Sequence, residues 1–171
     1  MKDTYLVDNY SINCKGNLID LSSAKVMGII NTTPDSFYDG TKNITSKSIL
    51  LKVEQQLSSG ATIIDIGGYS TKPGAKYVSE SEELKRTIKN IEQINKRFPK
   101  TCISIDTFRG KVAAHAIEAG ASMINDISAF SMDEKMIETI EKYNVPYILM
   151  HMQGMPKNMQ NNPKYENVIK E

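Results

Sequence analysis

The residues with most chemistry to offer mass in two stretches, each at the end of a short apolar run. Val26–Ile30 leads into Asn31-Thr32-Thr33-Pro34-Asp35-Ser36-Phe37-Tyr38-Asp39-Gly40, and Thr62–Ile66 leads into Gly67-Gly68-Tyr69-Ser70-Thr71-Lys72-Pro73-Gly74-Ala75. In a parallel sheet, ligands bind at the carboxyl ends of the strands. Amide, hydroxyl and carboxylate groups gathered there therefore point to an active face, and so to an enzyme. The other chemistries are weakly represented. His115 lies between Ala114 and Ala116 inside a helical pattern and reads as a surface residue, and His151 reads as loop scaffolding. No Ser/His/Asp arrangement and no zinc-ligand spacing competes.

Elements that could carry such a face alternate along the chain. Tyr10–Cys14 and Asn17–Leu21 flank the turn Lys15-Gly16 and predict a β-hairpin, so that residues 1–24 precede the main fold. Five strand-length runs follow: Val26–Ile30, Thr62–Ile66, Cys102–Asp106, Met123–Ile127 and Tyr147–Met150. Between them, Ser46–Ser59 puts Ile49, Leu50, Val53 and Leu57 on one face and stops before Gly60. Ser79–Phe98 opens on a Ser79-x-x-Glu82 capping box and carries Leu84, Ile88, Ile91, Ile94 and Phe98. Gly110–Ala119 ends at Gly120. Asp133 caps a fourth helix with Met136, Ile137 and Ile140 inward, and Asn144 stops it.

Strand starts fall about 20 to 40 residues apart, around the roughly 30 per unit of a (β/α)₈ barrel. A doubly wound sheet fits the alternation too, but Gly67-Gly68 lacks the third glycine and the acidic partner of a dinucleotide fingerprint. The expected fold is α/β, a TIM-type barrel cut to about five β/α units over residues 25–171, in one domain. Tyr165–Glu171 reads as the first turns of a fifth helix, so the chain is expected to be part of a longer protein and inactive alone.

With 171 residues, 40% of them hydrophobic and 24% charged, the chain can bury a core. A net charge of +1 gives no electrostatic case for nucleic acid or a membrane surface, and no apolar run approaches a membrane span. A cytoplasmic protein is expected. Cys14 and Cys102 are too few for a disulfide framework, and Cys102 reads as a buried free thiol.

Asn31–Gly40 and Asp65–Ala75 resemble the two signature segments of the dihydropteroate synthase family. Ile105-Asp106-Thr107, Ile124-Asn125-Asp126-Ile127 and Leu149-Met150-His151-Met152-Gln153-Gly154 resemble its third, fourth and fifth strand ends. The resemblance implies an enzyme that joins 6-hydroxymethyl-7,8-dihydropterin diphosphate to 4-aminobenzoate in folate biosynthesis, releasing pyrophosphate, and acts as a homodimer. A pterin-binding methyltransferase would share Asp106 and Asn125 but not the Thr33-Pro34-Asp35-Ser36-Phe37 loop.

On the same resemblance, Asp106 and Asn125 read the donor-rich edge of the pterin and Thr71 contacts it from the second loop. Ile127 and Met150 wall the ring, and Phe37 and Pro73 wall the aminobenzoate pocket. Asn31 is the magnesium-linked residue, with Asp35 completing the metal shell or stabilising a cationic intermediate. Two departures stand out: Tyr69 and Lys72 occupy positions where the family usually has glutamate and arginine. Lysine keeps the charge needed to brace anions but not the bidentate fork.

Overall fold

The computed structural model describes residues 10–33, 45–70, 76–156 and 158–170. The hairpin forms as β1 (Ser11–Cys14) and β2 (Asn17–Asp20), paired antiparallel. Its turn uses Lys15 and Gly16, both at positive φ, the backbone twist that two-residue hairpin loops require. The remaining strands are β3 (Val26–Asn31), β4 (Ala61–Gly67), β5 (Cys102–Asp106), β6 (Met123–Asp126) and β7 (Tyr147–Leu149). All pair parallel, in the order β3-β4-β5-β6-β7. Each new strand adds beside the last with no reversal, which is barrel winding; a doubly wound sheet would turn back on itself.

Helices α1 (Ser46–Ser58), α2 (Glu80–Arg97), α3 (Gly110–Ala119) and α4 (Lys135–Tyr143) fill the crossovers. Thr45 and Ser48 form a reciprocal capping box at α1. At α2, Ser79 Oγ accepts from Glu82 N, while the Glu82 carboxylate turns to Arg86. Asp133 does double duty: its two carboxylate oxygens accept from Lys135 N and Gly110 N, so one side chain serves the starts of both α4 and α3. Asn144 ends α4 in the left-handed conformation.

Strand side chains alternate between two interiors. Ile64, Ile66, Ile103, Ile105 and Ile124 point outward into a core shared with Ile49, Val53, Ile91, Ile94, Val112 and Met136 of the helices. The opposite parity gives Met27, Ile63, Cys102 and Met123, which meet Ile12, Cys14 and Ile19 of the hairpin. The hairpin thus plugs the amino-terminal mouth of the sheet's inner face. Both thiols are free and buried there, with Sγ atoms 2.9 Å apart.

Glu82, turned to Arg86, does not complete the expected capping box at α2, and two further expectations fail. Ile137 is 46% exposed, and Thr139 takes the inward place, its hydroxyl donating to Gly110 O. Residues 165–170 form bends and a turn rather than a fifth helix. Asn167 Oδ1 accepts from Ile169 N and Lys170 N, a local bond that competes with helix, and Ile169 at 92% exposure has no face to bury.

A close helix contact supplies a test. A β-carbon on Gly110 would stand 2.6 Å from the Lys135 carbonyl carbon at the head of α4. Gly110→Ala is expected to pry α3 from α4 and cost about 1–3 kcal/mol, seen as a lower urea midpoint. An unchanged midpoint would mean that this contact is not tightly packed.

Candidate active site at the carboxyl ends of the strands

Parallel register sets Asn31 beside Gly67, Gly67 beside Asp106, Asp106 beside Asn125 and Asn125 beside Ile148. These positions form one inward-facing row across five strand ends. Gly67 leaves a gap in it. A β-carbon there would stand 3.3 Å from Asn31 Oδ1 and 3.4 Å from Asp106 Oδ2, so an amide oxygen and a carboxylate oxygen flank a place with no side chain. Thr32 bonds through both backbone N and Oγ1 to the Gly67 carbonyl, tying the start of the first loop to this row.

One layer deeper lies Asp65, 4% exposed, beside Ser104 in register. Its Oδ2 accepts from Asn125 Nδ2 at 3.2 Å. With Nδ2 turned to Asp65, the Asn125 oxygen is the atom left to face the row. Asp65 Oδ1 and Ser104 Oγ have no hydrogen-bond partner among the described residues.

Burial in this layer changes the acids. The Asp106 carboxyl is pushed up to about 7, first by burial and then by the charges of Asp65, Glu83 and Asp126. Burial raises Asp65 as well, against the opposing effects of nearby Ser104 and Asn125. Asp126 is spoken for structurally: it accepts from Ser128, Phe130 N and the Tyr147 hydroxyl.

Behind the row, α2 contributes a wholly buried Glu83. Its carboxylate accepts from Thr107 Oγ1 at 2.7 Å and pairs with Arg109, both just past β5. Burial pushes Glu83 up despite these donors. Gly68 allows this approach, since a β-carbon there would stand 2.7 Å from Thr87 Cγ2 and 3.1 Å from Glu83 Cγ.

Of the residues singled out from sequence, Asn31, Asp106 and Asn125 are brought together. Ile127 and Met150 lie one residue past β6 and β7, both half-buried, and Met150 N bonds to Asp126 O. Asp35, Phe37, Thr71, Lys72 and Pro73 lie outside the described residues. His115 is exposed on α3, and exposed His151 meets the Tyr165 hydroxyl at 3.1 Å. Sequence reasoning missed Asp65, Glu83 and Arg109. A signal existed for two of them: Asp65 interrupts an isoleucine run, and Glu83 shares the Thr87, Ile91 and Ile94 face of α2.

Comparison with known proteins adds an independent line. The chain is 45% identical over 153 residues to the dihydropteroate synthase of Haemophilus influenzae, a match covering 90% of this chain and 55% of that protein. It superposes on the Yersinia pestis dihydropteroate synthase, solved with a sulfonamide drug complex, with TM-score 0.85 and 43% identity, covering 94% of this chain and 57% of that one. The Xanthomonas albilineans dihydropteroate synthase, solved with 4-aminobenzoic acid, gives TM-score 0.80 and 36% identity over 94% and 56% of the two chains. The chain thus spans about half the length of these relatives. No helix among the described residues is long and apolar enough to cross a membrane. The family model described as "Pterin binding enzyme" matches residues 27–171, and with the polar row at the strand ends this makes the chain a member of the pterin-binding enzyme family.

Proposed function

We propose that this chain carries the pterin-binding strands of a dihydropteroate synthase, a cytoplasmic homodimer that condenses 6-hydroxymethyl-7,8-dihydropterin diphosphate with 4-aminobenzoate. The observation that supports this best is the row of Asn31, Asp106 and Asn125 around the side-chain-free Gly67. Asp106 and the oxygen of Asn125 are acceptors, suited to the N–H-rich edge of a pterin. Ile127 and Met150 supply apolar walls over the ring.

In the reaction the C–O bond between pterin methylene and diphosphate breaks, the arylamine nitrogen bonds to that methylene, and the amine proton departs. Positive charge grows on the ring as the leaving group goes. A site where the charges of Asp65, Glu83 and Asp126 converge on Asp106 suits that charge, because stabilising groups fixed in advance need not reorganise. The residues also bear on magnesium. Among the described residues no group of three His, Cys, Asp or Glu could hold a metal. Asn31 Oδ1 at the edge of the Gly67 gap fits an ion that takes one protein oxygen, keeps waters and leans on the substrate phosphates, whose negative charge it would offset. Thr71 is assigned to the pterin from the second loop, and Asp35, Lys72, Phe37 and Pro73 to the diphosphate, cation and aminobenzoate side of the reaction.

The full-length enzyme supplies the tests. Asp106→Ala is expected to weaken an uncharged pterin analogue by on the order of 2–3 kcal/mol in calorimetry. Because the analogue needs the Asp106 carboxylate, which forms only near pH 7, wild-type affinity should rise about tenfold per unit up to that pH and then level off. Asp106→Asn should flatten this profile. The same shift sets the sign for stability: the native state keeps the proton from about pH 4 to about 7 while the unfolded chain loses it, so stability falls as pH rises through that window. Asn31→Ala should weaken pterin diphosphate in the presence of magnesium and leave the uncharged analogue as before. Equal losses for both ligands would remove Asn31 from the diphosphate site.

A further inference from the structure

The second loop leaves β4 at Gly68 and returns at Ser79, the N-cap of α2, so its two shoulders are Gly68-Tyr69 and Tyr77-Val78. One side chain touches both. Arg109, 9% exposed, donates through Nη2 to Val78 O at 2.8 Å. Its guanidinium lies 5.4 Å from the Tyr69 ring centre and 5.8 Å from that of Tyr77, with Phe108 at 5.0 Å on its own strand end. The Tyr69 ring in turn stands edge-on to Phe108 at 5.5 Å and to Tyr77 at 6.5 Å. The guanidinium cannot drift, because its other nitrogen pairs with buried Glu83, and Thr107 holds the second oxygen of that carboxylate. A planar cation with several donors is needed here. A lysine ammonium could face the carboxylate or the ring stack but could not span both while reaching Val78 O.

We propose that Arg109 is a positioning residue that clamps the two shoulders of the second loop together, with Tyr69 as the ring it grips. The inference rests on the synthase reading, in which Thr71, Lys72 and Pro73 of that loop serve the substrates. Arg109 works through the described shoulders, Tyr69 and Val78, from which that loop departs. Asp106 and Asn125, held by strand register, should not depend on it.

The test uses the full-length enzyme with Tyr69→Leu, Tyr69→Phe and Arg109→Lys. Tyr69→Leu and Arg109→Lys are expected to raise KM for 4-aminobenzoate at least fivefold and to lower kcat, while the dissociation constant of an uncharged pterin analogue, which keeps Asp106 and Asn125 and loses only its Thr71 contact, rises by a smaller factor. Tyr69→Phe, which keeps the ring, should restore wild-type values. Unchanged KM and kcat in Tyr69→Leu, or an equal loss of pterin affinity, would overturn the clamp. If Arg109→Lys fails to fold, Tyr69→Leu decides alone, since it leaves the Glu83 pair whole. Wild-type enzyme that does not condense the two substrates would overturn the synthase reading instead. The clamp is then read by trypsin cleavage after exposed Lys76, expected to be several-fold faster in Tyr69→Leu and refuted by equal rates.

Discussion

Parallel register is the constraint on which the site depends. A strand shifted by one residue turns every side chain to the opposite face, so the pairing of Asn31, Gly67, Asp106 and Asn125 holds only while the outward isoleucines hold. Ile64, Ile66, Ile103, Ile105 and Ile124 are wholly buried against the helices, and a slip would trade them for Asp65, Ser104 and Asp106. At about 1.5–3 kcal/mol for each fully buried isoleucine, that exchange is prohibitive. The apolar face of the sheet therefore fixes the geometry of the polar one.

Burial creates the electrostatics and also makes them hazardous. Glu83 has Thr107 and Arg109, and removing either member of the Glu83–Arg109 pair would leave a charge stranded, at a typical cost of 3–5 kcal/mol. Asp126 has four donors, from Ser128, Phe130 and Tyr147, closing around it. Asp65 is less fully served, since one of its oxygens has no hydrogen-bond partner among the described residues, and near it Asp106 is raised to about 7 by burial and neighbouring charge. Incomplete satisfaction of buried acids works against stability, and it is concentrated at the row where a ligand rich in N–H groups would supply donors.

Much of this was legible because strand-end chemistry and helix periodicity are local signals. Four helices were readable from apolar spacing and caps, and Asn31, Asp106 and Asn125 from their position after apolar runs. What escaped depended on tertiary contact. Ile137 fits the helical pattern of α4 but stands outside its buried arc, while Thr139 is drawn inward by the Gly110 carbonyl. The helix expected at Tyr165 had the composition but no surface to cover. Glu83 and Arg109 are residue types normally found in solvent, and only the meeting of α2 with the end of β5 gives each a reason to be buried.

Gly67 and Gly68 show how the two systems meet within a single dipeptide. Successive residues of a strand face opposite sides, so the first glycine opens the inner face between Asn31 and Asp106 while the second lets the outer face settle against Thr87 and Glu83. A side chain at the first would fill the gap in the polar row; at the second it would push α2 away, and with it the carboxylate that fixes Arg109. The strand end is thus thin on both sides for separate reasons. Because Tyr69 follows directly and Arg109 lies over its ring, a displacement of α2 bears on the Tyr69 shoulder from two sides at once.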